Sequence, residues 1–399
     1  MKTVKSFELW KRLLFTILIL VIYMVGRSLF LYRIDLAAME QTELDSQNFM
    51  LSMISGDRYQ YTLFALGIMP FMAASILIQI ILALCSSQVK SRISSQKIER
   101  ITFISTMILA VLFAISRAGD FVFLDSFIDE HVLRLIAVFE MTAGVAIIYS
   151  MVNFNKKKGI GGQIVLIVVN LLDNLITVIG KHTIEELRIP LGFCIGISFL
   201  TLIMENVVVR LPLQRVSIDN EYADKNYIAF KLNPIGSMPV VFATTVFLLP
   251  QLIVKLLLMI WEDNSFLIML RERLTMSDWL GIGVYLAIIL LLTVAFSFIM
   301  IAPGEIADRL QKGGDSIVGI YAGRKTKKYL RRILLALSLF SGTVMSGFMA
   351  FSFSMAMNRE LPTELALLPT TAMILVGIIG SIIQEIDIYR KFDSYKFYI

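Results

Sequence analysis

Residues 64–79 read Phe64-Ala-Leu-Gly-Ile-Met-Pro-Phe-Met-Ala-Ala-Ser-Ile-Leu-Ile-Gln79 and carry no charge. With its apolar neighbours this stretch makes a block over 63–84, long enough to cross the ~30 Å hydrocarbon layer of a bilayer at 1.5 Å per residue. The run is continuous, not alternating, which argues for a helix over a barrel strand. Gly67 and Pro70 nevertheless interrupt its start. In lipid such a break is tolerated where the backbone is buried in protein or lines a cavity. Taken alone, the stretch reads equally well as an ordinary kinked helix.

Nine further blocks of the same kind flank it: 13–31, 101–116, 132–152, 163–180, 189–209, 236–260, 279–301, 333–354 and 366–384. A chain of 399 residues has the length of two or three soluble domains, but 57% hydrophobic residues, 17% charged residues and a mean hydropathy of +0.76 exclude that class. The expected fold is an all-α polytopic membrane protein with ten transmembrane helices. The first block runs too long for a secretory leader and ends in Gly26-Arg27-Ser28 without a small-x-small cleavage pattern, so it is expected to stay as the first span.

Charge sidedness sets the expected orientation. The N-terminus, segments 85–100, 153–162, 210–235 and 302–332, and the tail from 385 hold 26 basic and 11 acidic residues. The alternate segments hold 8 basic and 17 acidic. Both termini and the basic loops are therefore expected in the cytoplasm. The net charge of +6 reflects two polarised faces, not a nucleic-acid-binding patch. Six charges fall inside spans, where each costs at least ~2.5–3.5 kcal/mol at the centre. Arg27, Arg134 and Glu205 lie near span ends and are expected to snorkel; Asp173 and Lys255 are candidates to pair with each other; Glu140 has no evident partner. A proton- or ion-coupled secondary transporter would use such residues as a relay, and that class stands as an alternative.

Catalytic signals are absent. Cys85 and Cys194 fall near opposite membrane faces, too far apart for a disulfide, and His131 and His182 have no carboxylate or thiol at ligand spacing. No phosphate-binding glycine loop, dinucleotide fingerprint or nucleophile–base pattern occurs. The chain is expected to be neither an enzyme nor a carrier of a metal or cofactor.

Further motifs are more specific: Gly159-Ile-Gly-Gly-Gln163, Leu211-Pro-Leu-Gln-Arg215, Phe230-Lys-Leu-Asn-Pro-Ile-Gly-Ser-Met-Pro-Val-Val-Phe-Ala243, and Pro303 to Leu330 with its Gly313-Gly314 turn and basic run Arg324-Lys-Thr-Lys-Lys328. In order and spacing these, with 64–79, resemble the SecY family, the channel subunit of the bacterial protein-export translocon, over nearly the whole chain. The resemblance implies two pseudo-symmetric five-helix halves, 1–185 and 186–399, with a lateral opening between spans 2 and 7. Two departures point to the accessory SecY type of Gram-positive bacteria. The stretch Gly319-Ile-Tyr-Ala-Gly323 has Tyr321 where the family usually has a motor-docking Arg, and Ser217-Ile-Asp-Asn-Glu-Tyr-Ala-Asp224 is acidic where the family is basic. A housekeeping SecY is the alternative within the family.

The resemblance further implies a pore ring of Met72, Ile76, Val168, Leu172, Val241 and Ile374, and a plug at about 48–58 that includes Phe49, Met50, Leu51, Met53 and Ile54. It implies lateral-gate polar residues Ser75, Gln79, Thr244 and Thr245, and a motor-docking loop with Tyr321, Arg324, Lys325, Lys327 and Lys328. The implied partners are an accessory SecA-type ATPase, SecE- and SecG-like small membrane subunits, membrane lipids and unfolded, glycosylated preproteins. Large serine-rich adhesins are the implied cargo. The implied location is the cytoplasmic membrane, and no nucleic acid is expected to bind.

Overall fold

The computed structural model describes residues 8–35, 61–85, 93–124, 129–215, 226–261, 264–275, 278–358 and 363–394. The chain groups into two compact units, one of residues 1–187, 244–281 and 378–399, the other of 188–243 and 282–377.

In the first unit, α1 (Glu8–Arg27) leads into an extended segment, and α2 (Met69–Leu84) follows. The block expected at 63–84 starts six residues late as helix. Residues 63–68 form turns, with Gly67 at φ +54°, where a side chain would be strained, and Pro70 in the first helical turn. Proline fits there because an N–H in the first turn of a helix has no intrahelical acceptor to lose. Then come α3 (Ser95–Ala118), α4 (Glu130–Lys158) and α5 (Ile164–Lys181). α3 packs on α2 and α4, and α1 packs on α4 and α5.

α1 has a lipid-facing stripe of exposed Leu14, Ile17, Leu18, Val21 and Val25, while Thr16, Ile19 and Tyr23 turn inward. Such a stripe would be costly in water and is ordinary against acyl chains.

The short turn between α4 and α5 explains the Gly159–Gln163 motif. Asn155, buried at the end of α4, donates through Nδ2 to the carbonyls of Ile160 (3.0 Å) and Gly162 (2.8 Å), and accepts from Thr16 Oγ1 (3.0 Å). Thr16 Oγ1 accepts in turn from the Ile160 N–H, Arg12 reaches the Gly159 carbonyl, and the Gly161 N–H meets Glu385. Gly161 and Gly162 both have positive φ (+72° and +49°), which only glycine adopts without cost.

In the second unit, most of α6 (Ile184–Asn206) runs into β1 (Val208–Arg215), which pairs antiparallel with β2 (Tyr227–Lys231). α7 (Met238–Leu258) follows; its last fifteen residues, with α8 (Ser265–Arg273), belong to the first unit. α9 (Trp279–Ile301, in this unit from Ile282) is followed by α10 (Pro303–Gly313), β3 (Asp315–Ile317), α11 (Arg324–Asn358) and α12 (Thr363–Ser394), which from Ile378 onward belongs to the first unit. β3 pairs antiparallel with β1, giving the order β2-β1-β3. This small sheet is absent from the expected all-helical pattern. It forms almost wholly from the segments read as loops, 210–235 and 302–332: Arg210 pairs with Ala229 within the first, and Leu213 pairs with Ile317 about a hundred residues on. Leu211, Phe230, Ala307, Ile317 and Leu330 make its core, so sheet, α10 and the first turns of α11 are one packed platform.

Among the described residues nine helical stretches are long and apolar enough to cross a membrane, while α2, at 16 residues, is shorter.

Candidate pore, gate and docking face

The charges inside the spans are largely taken up locally. Asp173 pairs with Arg27 (2.9 Å) and Lys255 with Asp120, so the expected Asp173–Lys255 pair is incorrect. Arg27 does not snorkel: it is buried beneath Asp173 with its guanidinium 5.5 Å over the Tyr23 ring. Arg134 does reach outward, to Glu130 one turn away, and Glu140 accepts from the Tyr32 backbone N–H. Glu205 is a second correction, because it is buried and its Oε1 has no hydrogen-bond partner among the described residues. Distance from a span end predicted exposure; helix rotation, invisible in sequence, decided burial. Asp173, Lys255 and Glu140 thus serve as local ties, which removes the main support for a relay.

Of the pore residues implied by resemblance, Met72 and Ile76 lie one turn apart on α2 and are fully buried, and Val241 and Ile374 are buried in the second unit. Val168 is half-buried and Leu172 is 41% exposed, one turn apart on α5. The i, i+4 spacing gives each pair one helix face. The plug residues 49–54 fall outside the described residues. At the gate, Gln79 Nε2 donates to Ser75 Oγ along the same helix (3.2 Å). Thr244 and Thr245 are buried, and Thr245 Oγ1 has no partner among the described residues.

The docking residues lie on the sheet platform. Tyr321 is 78% exposed between Gly319 and Gly323, both at positive φ. Its carbonyl accepts from Thr326 Oγ1 (2.9 Å), and Lys325 Nζ sits 4.9 Å over its ring. Arg324, Lys325, Lys327 and Lys328 occupy the first five residues of α11. Sequence reasoning left them in a loop and began the span at 333. Cations at a helix N-terminus oppose the macrodipole, at a cost of ~0.3–1 kcal/mol each when exposed.

No group of acidic, His and Cys side chains suited to a metal occurs among the described residues.

A family model described as SecY matches residues 62–383. The accessory Sec system protein translocase subunit SecY2 of Streptococcus sanguinis is 24% identical, covering 97% of both chains. Its namesake in Leuconostoc gelidum is 27% identical over 97% of this chain and 96% of the relative. That of Streptococcus salivarius is 27% identical over 99% of both. Among solved structures, a protein-conducting channel superposes with a TM-score of 0.69 at 16% identity, covering 98% of this chain and 94% of that one. Sec61 in the canine ribosome–channel complex gives 0.66 at 16% identity, with the same coverage. At that identity the likeness concerns the fold.

Proposed function

The chain belongs to the SecY family, and from that premise we propose that it forms the protein-conducting channel of an accessory Sec translocase. The observation that carries this reading is the end-to-end match to relatives named as accessory SecY2 subunits. The chain is a multi-pass membrane protein whose termini we place in the cytoplasm on the charge asymmetry of its loops.

The channel must pass an unfolded polypeptide of any sequence and still hold back ions. A narrow aliphatic ring does both, because flexible side chains close around a moving chain and an empty apolar constriction dewets. Met72, Ile76, Val168, Leu172, Val241 and Ile374 are that ring in this proposal, with 49–54 as the plug and 1–185 and 186–399 as the pseudo-symmetric halves. α2 and α7 are the gate faces that part to admit an export signal. Ser75, Gln79, Thr244 and Thr245 are its polar groups. Hydrogen bonds of this type contribute ~0.6 kcal/mol on average within membranes, weak enough to break in each cycle.

The channel itself has no ATP chemistry, so a motor must push. The exposed Tyr321 and the four cations opening α11 suit an acidic docking surface, since a partner carboxylate would relieve the unfavourable dipole interaction. The proposed motor is an accessory SecA-type ATPase. SecE- and SecG-like subunits complete the assembly, and glycosylated serine-rich adhesins are its cargo.

The test is reconstitution of the chain with its small subunits in proteoliposomes, addition of accessory SecA-type ATPase and ATP, and measurement of protease-protected preprotein. Protection that depends on the accessory motor is the expected result. Protection driven as well by a housekeeping SecA would favour general secretion, and protection by neither would overturn the channel reading.

A further inference from the structure

Between the spans α7 and α9 the chain makes a nine-residue helix, α8, that the channel reading leaves unused. The stretch from Thr244 to Gly281 lies within the first unit. α8 is held at a defined depth there. Its start is fixed by Asn264, whose Oδ1 accepts from the backbone N–H groups of Phe266 (3.1 Å) and Leu267 (3.4 Å). Its last turn is closed by the N–H of Leu274, and the Leu274 carbonyl accepts from Gln251 Nε2 (2.6 Å). Gln251 stands seven residues before the end of α7, about 10 Å along the helix axis. α8 therefore turns back from the end of α7 and descends beside it. On the other flank, Thr275 packs so closely on α9 that a Cβ at Gly281 would lie 1.9 Å from its carbonyl oxygen. With both flanks pinned to spans, α8 stays at the membrane boundary.

The helix has unlike faces. Leu267 and Leu274 are buried. Phe266 (63% exposed), Met269 (43% exposed) and half-buried Leu270 follow one another at i, i+3 and i+4, with exposed Arg273 at i+7. Ser265, Ile268 and Glu272 share the other exposed face. Exposed Ile260 and Trp261 precede the apolar stripe, and exposed Trp279 and Leu280 follow it. Tryptophan favours the boundary between headgroups and hydrocarbon, so one on each flank marks the depth of the helix between them. An arginine at the end of the stripe can lay its stem along acyl chains and lift its guanidinium to the phosphate level. The helix satisfies its own backbone, so lipid can cover it without leaving polar groups unpaired.

We propose that α8 is an interfacial anchor whose face of Phe266, Met269 and Leu270 inserts among the acyl chains just below the headgroups, as amphipathic helices do at membrane surfaces. Its occupant is ordinary bilayer phospholipid, whatever the headgroup charge. The proposal rests on the chain's residence in a bilayer and is independent of which motor or cargo it serves. Such an anchor would fasten the end of α7, a proposed gate helix, to one leaflet.

The test places a nitroxide label at Phe266→Cys, Met269→Cys or Glu272→Cys in a Cys85→Ala, Cys194→Ala background. Each labelled chain is assembled with its small membrane subunits in phosphatidylcholine proteoliposomes. Power-saturation electron paramagnetic resonance then compares collisions with oxygen, which concentrates in lipid, and with a water-soluble nickel chelate. The oxygen-to-nickel ratio is expected to be at least about threefold higher at 266 and 269 than at 272, because only the apolar stripe enters the acyl region. Thermal unfolding checks each labelled chain, and either stripe position suffices if the other disturbs folding. A ratio at the stripe no higher than at 272 would put it in water, and poor access to both agents would put it under protein; each result overturns the proposal. So would loss of the oxygen preference when a preprotein is arrested in the channel, which would make the stripe part of the exit path.

Discussion

Asn155→Leu removes one knot that holds α1, α4 and α5 together while keeping the side chain's size and shape. In the native protein Asn155 is 1% exposed and supplies both donors of its amide, to the Ile160 and Gly162 carbonyls, and one acceptor, to Thr16. Leucine leaves two turn carbonyls without those donors. Thr16 is less affected, because its hydroxyl also meets the Arg12 carbonyl and still accepts from the Ile160 N–H. An unsatisfied buried acceptor costs ~1–3 kcal/mol. Ile160 is buried but Gly162 only half so, and water reaching Gly162 lowers the second cost. The expected destabilisation is about 2–4 kcal/mol in total. It is to be read as a shift in the unfolding equilibrium in mixed micelles under increasing denaturing detergent. The turn also sets where α5 begins, so Val168 and Leu172 should shift with it, and proteoliposomes of the variant should leak ions above the native level. A variant within ~0.5 kcal/mol of native would refute the reasoning, since surface changes alone produce differences of that size.

Other outcomes follow from the same contacts. Asp173→Asn strips the carboxylate from Arg27, whose side chain is 3% exposed; because Asp173 is 36% exposed and partly screened, about 1–2 kcal/mol of stability should be lost, measured in the same micelles. Gly377→Ala pushes a methyl into Ser237 Oγ and Glu205 Oε1 and should destabilise by ~1–3 kcal/mol, with partial rescue by Ser237→Gly; additive thermal shifts of the two substitutions would contradict this crossing. Asn at Val241 and Ile374 should raise ion leak through proteoliposomes, and unchanged leak would remove them from the pore ring. Neutral substitutions at Arg324, Lys325, Lys327 and Lys328 should weaken accessory-motor binding in a pull-down from membranes; indifference to these changes and to Tyr321→Arg would move the docking site elsewhere.

Several of these residues were readable in the chain before any coordinates. Hydrophobic run length is a local property, and lipid forces each long run to satisfy its backbone internally, so helix after helix appeared close to where composition put it; the block at 279–301 coincides with α9. The motif at 159–163 was visible as glycines, yet its cause, the reach of Asn155 and Thr16 into one turn, joins residues about 140 positions apart. The sheet was missed for the same reason, because β1 finds β3 a hundred residues later. Rotation about the helix axis was also beyond reach: it buried Arg27 and Glu205, which the span-end rule had sent to water, and matched Asp173 to Arg27 instead of Lys255.

The sequence by itself therefore determined that this protein lives in a membrane, roughly which segments cross it, and through its motifs which family it joins, because those depend on burial in lipid and on short spacings. Tertiary structure alone decided the partners of the buried charges, the docking platform and the depth of α8 beside Gln251. Those depend on which face each helix turns inward, and that choice is made by distant neighbours.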